Sequence, residues 1–282
     1  MKHFLKRIIP RPLWEFARTH RAWLIDFITN AGASVCRKRY RGFTVYYNRG
    51  NALIDRLRKE KYFEKVLCER IIGDLNRSEN KVFLDIGANI GLITLSVLSN
   101  VPEARVYAFE PGPLQAGVFE KTIAENNLSN RVIFYRKALG ESVGIAKFFV
   151  HDGADIAKDG FKNTGRGEGG HEISVSIETL DDWWKVAGKP PVAVVKIDTE
   201  GAELFVLREG KEFLATVKPI LYLEIELSNL AAYPHTAVDI IRFLNSIGYG
   251  VSTLDGIAVS PENIDEFVKK HDTYRAISRT LS

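Results

Sequence analysis

The sequence of 282 residues contains only two cysteines, Cys36 and Cys68, and no uninterrupted apolar run of membrane-spanning length. Two cysteines cannot build the disulfide framework of a small secreted domain or supply a cysteine-ligated zinc site. The most apolar segment near the amino terminus, residues 22–28, contains Asp26 and is far shorter than the roughly 20 residues of a transmembrane helix. Charged residues also interrupt the segment where a signal peptide would be apolar. We therefore expect a cytoplasmic protein.

Acidic residues are scarce only at the amino-terminal end. Residues 1–41 contain ten lysines and arginines against two acidic residues, although the whole chain has a net charge of only +4. Apolar residues at helical spacing predict an amphipathic helix over residues 12–30, and Trp14 and Trp23 within it suit a lipid headgroup layer. Two interpretations stay open: peripheral contact with an acidic membrane surface, or packing on the domain or on a second subunit. No recognition module for nucleic acid accompanies the basic residues, so nucleic-acid binding is not expected.

The rest of the chain alternates between strand and helix patterns. Such alternation predicts parallel strands, because a helix carries the chain back between neighbouring strands, and right-handed crossovers place helices on both faces. The expected fold class is therefore α/β, with a doubly wound, mostly parallel sheet. The expected strands lie at residues 81–86, 104–110, 131–136, 192–198 and 219–226, and a hairpin over residues 249–259 closes the pattern.

Residues 151–172 interrupt the alternation. They contain six glycines and connect two extended segments, 145–150 and 173–177. A loop of this length inside a domain is usually functional or disordered. We expect it to fold over a bound acceptor.

The expected domain organisation has two parts. Residues 1–50 form a basic extension that holds the amphipathic helix and a short strand at 42–47. Residues 51–282 form one domain, which begins with a long helix at 52–75 and carries the loop 151–172 as an insertion.

Residues 81–91 form an apolar strand that runs directly into a glycine turn and the start of a helix. Gly87 permits a backbone conformation closed to other residues, Gly91 lets the backbone approach closely, and the helix start presents free N–H groups. The next strand ends in Glu110, 19 residues beyond Gly91. A carboxylate there can accept hydrogen bonds from both ribose hydroxyls of a nucleoside. These features predict a nucleoside-binding cleft at the carboxyl ends of the strands.

The pattern leaves two cofactors open. Glycines at positions 87 and 91 depart from the G-x-G-x-x-G fingerprint, and the ribose carboxylate suits a nicotinamide dinucleotide and S-adenosylmethionine equally. Asp85 favours the latter, because a carboxylate repels a pyrophosphate and attracts a cationic amino acid moiety.

Several motifs in order resemble the FkbM-type S-adenosylmethionine-dependent methyltransferases. The resemblance covers roughly residues 55–256, and ordered motifs are far more specific than a lone glycine turn. It implies a Rossmann-like class I methyltransferase fold with a seven-stranded sheet and transfer of a methyl group, usually to a hydroxyl. The matching segments are Asp85–Gly91, Ala108–Pro113, Lys137–Gly140, Thr179–Trp183, Val195–Glu203 and Leu223–Glu226.

The resemblance also implies roles for residues. The amino acid moiety and the turn would be contacted by Asp85, Gly87, Asn89 and Gly91, the ribose by Glu110 followed by Pro111, and the adenine edge by Ala138 and Leu139. Lys137 precedes that edge where the family varies, which leaves the adenine hydrogen bonds undefined.

The strand 192–198 ends at Asp198, at the expected topological switch point, where methyl transfer should take place. An alcohol is a poor nucleophile, so a base must take its proton. Asp198 is the first candidate for that base and for cofactor contact. Its competitors are Glu200, Glu224 and His235.

Structural roles compete with these catalytic ones. Lys196 and Glu224 on neighbouring strands can neutralise each other. His235 lies in a loop, where a surface side chain is expected more than a base. The acidic residues have the oxygens that magnesium prefers, but no metal is expected.

The function predicted is S-adenosylmethionine-dependent O-methylation of a sugar, a glycan or a glycosylated metabolite. A nicotinamide-dependent oxidoreductase and a non-catalytic nucleotide-binding module are the alternatives. The glycine turn and Glu110 allow the first, and the presence of all three acids, Asp85, Glu110 and Asp198, argues against the second.

Overall fold

A computed structural model describes residues 34–152, 158–166 and 169–280. The amphipathic helix predicted over residues 12–30 lies outside the described residues. The strands are β1 Val35–Tyr40, β2 Phe43–Asn48, β3 Val82–Ile86, β4 Arg105–Phe109, β5 Val132–Tyr135, β6 Ala138–Leu139, β7 Gly144–Val150, β8 His171–Glu178, β9 Val194–Ile197, β10 Ile220–Glu224, β11 Tyr249–Thr253, β12 Ala258–Val259 and β13 Thr273–Ser278. The helices are α1 Ala52–Lys59, α2 Lys65–Arg77, α3 Leu92–Asn100, α4 Pro113–Glu125, α5 Leu180–Val186, α6 Glu203–Arg208, α7 Lys211–Val217, α8 Leu227–Leu230, α9 Ala237–Ser246 and α10 Ile264–Phe267.

Eight strands form the central sheet, in the order β5-β4-β3-β9-β10-β13-β11-β12. Strands β5, β4, β3, β9 and β10 are parallel, whereas β13 is antiparallel to both β10 and β11. The chain runs outward from β3 in one direction through β4 and β5, and later in the other through β9 and β10. The switch point therefore lies between β3 and β9. The predicted doubly wound, mostly parallel, Rossmann-like sheet is confirmed, and β13 is the strand added to the seven expected.

The central strands are apolar because both faces of the sheet are covered. Every residue of β9 is buried, and so are Phe83, Leu84 and Ile86 in β3. Side chains alternate across a strand. Phe83 accordingly packs in one apolar cluster with α2 and α3, while Leu84 and Ile86 pack in a second with α5, α6, α7 and α9. Continuous apolar strands are typical of parallel sheets covered on both faces.

The antiparallel hairpin of β1 and β2 packs on α4 and shares the core of the sheet. The Thr44 backbone N–H donates to Asn126 Oδ1 and the Tyr46 backbone N–H donates to Thr122 Oγ1, each at 2.9 Å. The hydroxyls of Tyr40 and Ser96 lie 2.9 Å apart in the interior. Residues 34–50 are thus joined to the domain by buried contacts, and β1 is an addition to the single strand expected at 42–47.

One prediction about an individual element is wrong, and one strand was not predicted. The long helix expected at 52–75 is two helices, because the chain turns between α1 and α2 with a left-handed Glu64 (φ 43°) and directs Phe63 and Glu64 to the cleft described below. Strand β13 was not expected at all, and it inserts between β10 and β11.

Among residues 34–152, 158–166 and 169–280, no helix combines the length and apolar character needed to cross a bilayer.

The extended segments around the glycine-rich loop form a separate three-stranded sheet, in the order β6-β8-β7. Strands β7 and β8 are antiparallel, as expected for the ends of a long hairpin. The hairpin expected over residues 249–259 is also present, as β11 and β12. The small sheet places residues 158–166 beside the carboxyl ends of the parallel strands, because Gly160 pairs with Phe149 through two backbone hydrogen bonds of 2.7 and 3.1 Å.

Candidate active site

A cleft of about 190 Å³ lies at the carboxyl ends of β3, β4, β9 and β10. This is where open α/β sheets bind their ligands. Of the residues singled out from the sequence, those that line it are Gly87, Asn89, Glu110, Pro111, Lys137, Ala138, Leu139, Lys196, Asp198, Glu200 and Glu224. Asp85, Gly91 and His235 are not among the lining residues.

The turn after β3 depends on glycine at position 87. Gly87 has φ 76°, and a Cβ built there would lie 1.8 Å from the backbone oxygen of Asp198. The backbone N–H groups of Gly87 and Ala88 both donate to the Phe109 carbonyl, at 3.0 and 2.9 Å. The turn is therefore bonded to β4 and pressed against the end of β9, which brings three strand ends to one cleft.

Gly91 serves packing rather than the cleft. It has φ 85° directly before α3, and a Cβ there would meet the Phe119 ring at 2.1 Å. The close backbone approach expected at this position is thus made to α4, not to a ligand.

Asp85 is fully buried behind the glycine turn, which corrects its expected place in the cofactor pocket. Its Oδ2 accepts from Thr94 Oγ1 at 2.6 Å, and its Oδ1 lies 3.7 Å from Lys196 Nζ. Burial raises the pKa of Asp85, against the lowering effect of Lys196 and Thr94. Asp85 therefore acts on the cleft through Lys196.

Lys196 connects the buried acid to the cleft. Its Nζ donates to the Gly87 carbonyl at 2.6 Å and lies 3.0 Å from Asp198 Oδ2. Burial alone lowers the pKa of Lys196, but Asp198 and Asp85 outweigh burial and raise it above the usual value. Lys196 is therefore a cation that fixes both the turn and Asp198. The alternative pairing of Lys196 with Glu224 is not the arrangement found.

Glu110 is buried at the end of β4 and faces the turn. Its Oε2 accepts from the Asn89 N–H at 2.9 Å, and its Oε1 accepts from the Gly112 N–H at 2.7 Å. Burial raises the pKa of Glu110 to about 7, although these two hydrogen bonds lower it. The carboxylate is held in one orientation and changes its charge near neutral pH.

Asp198, Glu200 and Glu224 bring carboxylate oxygens within 4.8 Å of one another. Burial and then the charge of Asp198 raise the pKa of Glu224 well above its usual value. Glu224 Oε2 also accepts from Asn229 Nδ2 at 3.3 Å. The oxygens are of the kind that binds a divalent cation, and the same cluster can receive protons or hydroxyl groups.

Part of the glycine-rich segment covers this acidic cluster. Arg166 forms ion pairs with Glu200 and Glu226, the latter at 2.9 Å. A Cβ at Gly160 would lie 3.1 Å from Cβ of Glu200, so the segment lies directly on that residue. Sequence reasoning placed the loop near an acceptor but did not identify Asp159 and Phe161, which also line the cleft.

His235 is buried and does not reach the cleft, so the expected surface position is wrong. Its Nε2 lies 3.0 Å from the Gly201 carbonyl, and its ring packs on Phe205 and Tyr233. Burial lowers the pKa of His235. The neutral imidazole supports the turn after β9.

Comparison with known proteins agrees with this architecture. The model of the methyltransferase FkbM domain matches residues 85–251, more than half of the chain. Methyltransferase 1 of Beauveria bassiana is 26% identical over 186 residues, which cover 59% of this chain and 71% of that protein. The 2-O-methyltransferase NoeI of Sinorhizobium fredii is 28% identical over 161 residues, covering 53% of this chain and 65% of that protein.

Among solved structures, the methyltransferase FkbM from Methylobacillus flagellatus is similar with a TM-score of 0.45 and 15% identity. The match covers 70% of this chain but only 43% of that longer one. The family match itself rests on the sequence of residues 85–251, which contain the glycine turn, Glu110 and Asp198. The chain therefore belongs to the FkbM methyltransferase family.

Proposed function

We propose that this methyltransferase transfers a methyl group from S-adenosylmethionine to a hydroxyl of a sugar, a glycan or a glycosylated metabolite. One observation carries the proposal. Glu110 and Asp198 follow the two strands that flank β3, and both line the same cleft beside the glycine turn. One carboxylate is thus placed for a ribose and the other for the reacting groups.

The residues of the cleft fit this cofactor. Bound S-adenosylmethionine supplies a methyl group on a positively charged sulfur. Each Glu110 oxygen accepts one backbone N–H and keeps a lone pair with which it can accept a ribose hydroxyl. The Asp198 carboxylate, which lines the cleft, attracts a cation. A dinucleotide pyrophosphate would instead be repelled by these carboxylates, and Lys196 is already held by Gly87 and Asp198.

The acceptor side supplies a base and several hydrogen-bond acceptors. Asp198 would take the proton of the acceptor hydroxyl, and the bound cofactor would supply the methyl group, its carbon–sulfur bond breaking as the bond from the hydroxyl oxygen to carbon forms. Lys196 positions Asp198 through the contact of 3.0 Å between Nζ and Oδ2. Glu200 and Glu224 can accept hydrogen bonds from the other hydroxyls of a polyhydroxylated acceptor. The name of the 2-O-methyltransferase NoeI supports an oxygen acceptor, and the sugar class rests on the family resemblance.

The direct test is transfer of isotope-labelled methyl groups. Purified protein would be incubated with methyl-labelled S-adenosylmethionine and with separated glycans, glycolipids and small metabolites. We expect label in a carbohydrate fraction, in a form that survives mild alkali, because a methyl ether is stable where a carboxyl methyl ester is hydrolysed. Alkali-labile label would contradict the hydroxyl acceptor. Binding of NADH without binding of S-adenosylhomocysteine would contradict the cofactor.

Glu110 should make cofactor binding depend on pH. Its pKa of about 7 means that it is protonated at pH 6 and ionised at pH 8, and only the ionised form accepts hydrogen bonds on both oxygens. We expect the affinity for S-adenosylhomocysteine, measured by calorimetry, to increase from pH 6 to pH 8. The variant Glu110→Gln should bind about 10- to 100-fold more weakly at pH 8, since hydrogen bonds to a charged group contribute about 1.5–3 kcal/mol.

The same variant is the control for the pH effect. Glu110→Gln cannot ionise, so its affinity should vary much less between pH 6 and pH 8. If the affinity of Glu110→Gln changes with pH as much as that of the wild type, a group other than Glu110 is responsible for the pH dependence. That result would contradict the proposal that Glu110 binds the ribose.

A further inference from the structure

Glu110 ends β4, which lies in the sheet between β5 on one side and β3 and β9 on the other. We call the lining at Lys196 and Asp198 the first arm of the cleft, and the lining at Pro111, Ala138 and Leu139, on the β5 side, the second arm. A ribose held at Glu110 carries the sulfur on one side and the base on the other. Because Asp198 belongs to the reacting side, the base must enter the second arm. This step rests on the proposed function.

The second arm suits a flat heterocycle. It is lined by apolar groups from four separate segments: Pro111, Ala138, Leu139, Phe148 and Phe161. The rings of Phe148 and Phe161 meet edge to face, with centroids 5.8 Å apart. Such walls accept an aromatic base through its faces and leave its polar edge to be matched by other groups.

The polar groups in this arm differ in what they can recognise. Lys137 carries only donors, and its Nζ pairs with Glu178 Oε2 at 3.1 Å. An ammonium group cannot accept the protons of the exocyclic amine of adenine. Asp159, which lines the same arm, offers a carboxylate that can.

Asp159 is held in a fixed orientation by its own hydrogen bonds. Its Oδ2 accepts from Gln115 Nε2 at 2.7 Å, and its Oδ1 accepts from the His151 backbone N–H at 2.7 Å. Its side chain is only 5% exposed. Oδ1 also lies 3.4 Å from His151 Nδ1, so Oδ2, with one partner, is the oxygen that retains a lone pair for a ligand. A carboxylate held in this way can only accept hydrogen bonds. It therefore favours a ligand that presents an N–H group over one that presents a carbonyl oxygen.

We infer that Asp159 accepts a hydrogen bond from the exocyclic amine of the adenine and so selects an adenosine cofactor over one whose base lacks that amine. The residue comes from the glycine-rich segment rather than from the strand end before Ala138, where Lys137 stands. The segment that covers the acceptor side thus also recognises the cofactor.

The test compares two ligands that differ only at the base edge. S-Adenosylhomocysteine has the amine, and S-inosylhomocysteine has a carbonyl oxygen in its place. Calorimetry should show that the wild-type protein prefers the adenosine compound by about tenfold or more, as expected for a hydrogen bond to a charged acceptor. In Asp159→Asn, whose amide can donate to the carbonyl, this preference should fall to near unity or reverse. Asp152→Asn, an exposed acid outside the cleft, should keep the wild-type ratio.

The outcomes separate the two proposals. If the wild-type protein binds both compounds equally well, or if Asp159→Asn keeps the wild-type ratio, the assignment of Asp159 is overturned while the cofactor stands. If the wild-type protein binds neither compound, the cofactor is wrong and the assignment falls with it. The ratio of the two affinities in the wild-type protein tests the assignment of Asp159 even if the variant does not fold.

Discussion

Replacement of Asp198 by asparagine is expected to reduce the rate of methyl transfer by roughly 10²- to 10⁴-fold, the usual contribution of a general base. The amide keeps the shape of the side chain but cannot take a proton from a hydroxyl. Asp198 is suited to that role because its side chain is 32% exposed at the cleft and its Oδ2 lies 3.0 Å from Lys196 Nζ. Affinity for S-adenosylhomocysteine, whose sulfur is uncharged, should change little, since Asp198 contacts Gly87 through its backbone oxygen.

Glu224→Gln is the matched control for Asp198. Glu224 belongs to the same acidic cluster, but burial and the neighbouring Asp198 charge raise its pKa well above the usual value, and it is Asp198 rather than Glu224 that Lys196 contacts. Single-turnover rates with labelled donor should therefore fall much less in this variant, and calorimetry should show near-normal binding of S-adenosylhomocysteine in both. If Asp198→Asn turns over like the wild type while Glu224→Gln does not, the base is Glu224. A parallel loss of binding in Asp198→Asn would make it a cofactor residue instead.

The parts of the site that could be predicted from sequence are those fixed by local geometry. A parallel strand followed by a glycine turn places its carboxyl end at the switch point, and the next strand must end beside it. For this reason Gly87 and Glu110 were placed correctly in one cleft without any knowledge of the contacts between them. Asp198 followed from the same argument applied to β9.

The role of Asp85 could not be predicted by that argument. Its position before the turn is clear in the sequence, but its role depends on Lys196, which lies directly opposite in the register of β3 and β9. More than a hundred residues separate the two in the chain. Burying an unpaired carboxylate or an unpaired lysine costs free energy. Only the pairing of β3 with β9 shows that the opposite charges of Asp85 and Lys196 offset this cost.

The elements missed are likewise those set by distant contacts. Strand β13 alternates buried and partly buried side chains, but it is antiparallel to β10 and lies beyond the hairpin that ends the strand–helix alternation. The turn between α1 and α2 contains neither glycine nor proline, so the helical pattern continues through it. Asp159 and Phe161 could not be assigned to the cleft from the sequence, because the course of a glycine-rich loop is decided by what it packs against.

Replacement of Asp74 by alanine is expected to destabilise the fold by about 3–5 kcal/mol, the usual cost of removing one partner from a buried ion pair. Asp74 lies in α2 and is only 2% exposed. It accepts two hydrogen bonds from Arg275 in β13, at 2.9 and 2.7 Å, a third from the Tyr222 hydroxyl in β10, at 2.6 Å, and a fourth from the exposed Arg77 in its own helix, at 2.5 Å. This carboxylate therefore joins a helix to the two strands whose antiparallel pairing was missed. Without the Asp74 carboxylate, the hydrogen-bond donors of Arg275 and Tyr222 lose their acceptor.

Glu69→Ala is the matched control, because Glu69 lies on the exposed face of α2 in a surface pair with Lys65 at 3.7 Å. Surface pairs of this kind contribute about 0–1 kcal/mol. Denaturant unfolding should therefore give a large loss for Asp74→Ala and a small one for Glu69→Ala, and Asp74→Asn should lie between them because it keeps one acceptor. Since native domains are stable by only about 5–15 kcal/mol, the first variant loses a substantial fraction of the total. Equal free energies of unfolding for Asp74→Ala and Glu69→Ala would mean that the contacts of Asp74 with Tyr222 and Arg275 do not hold β13 in place.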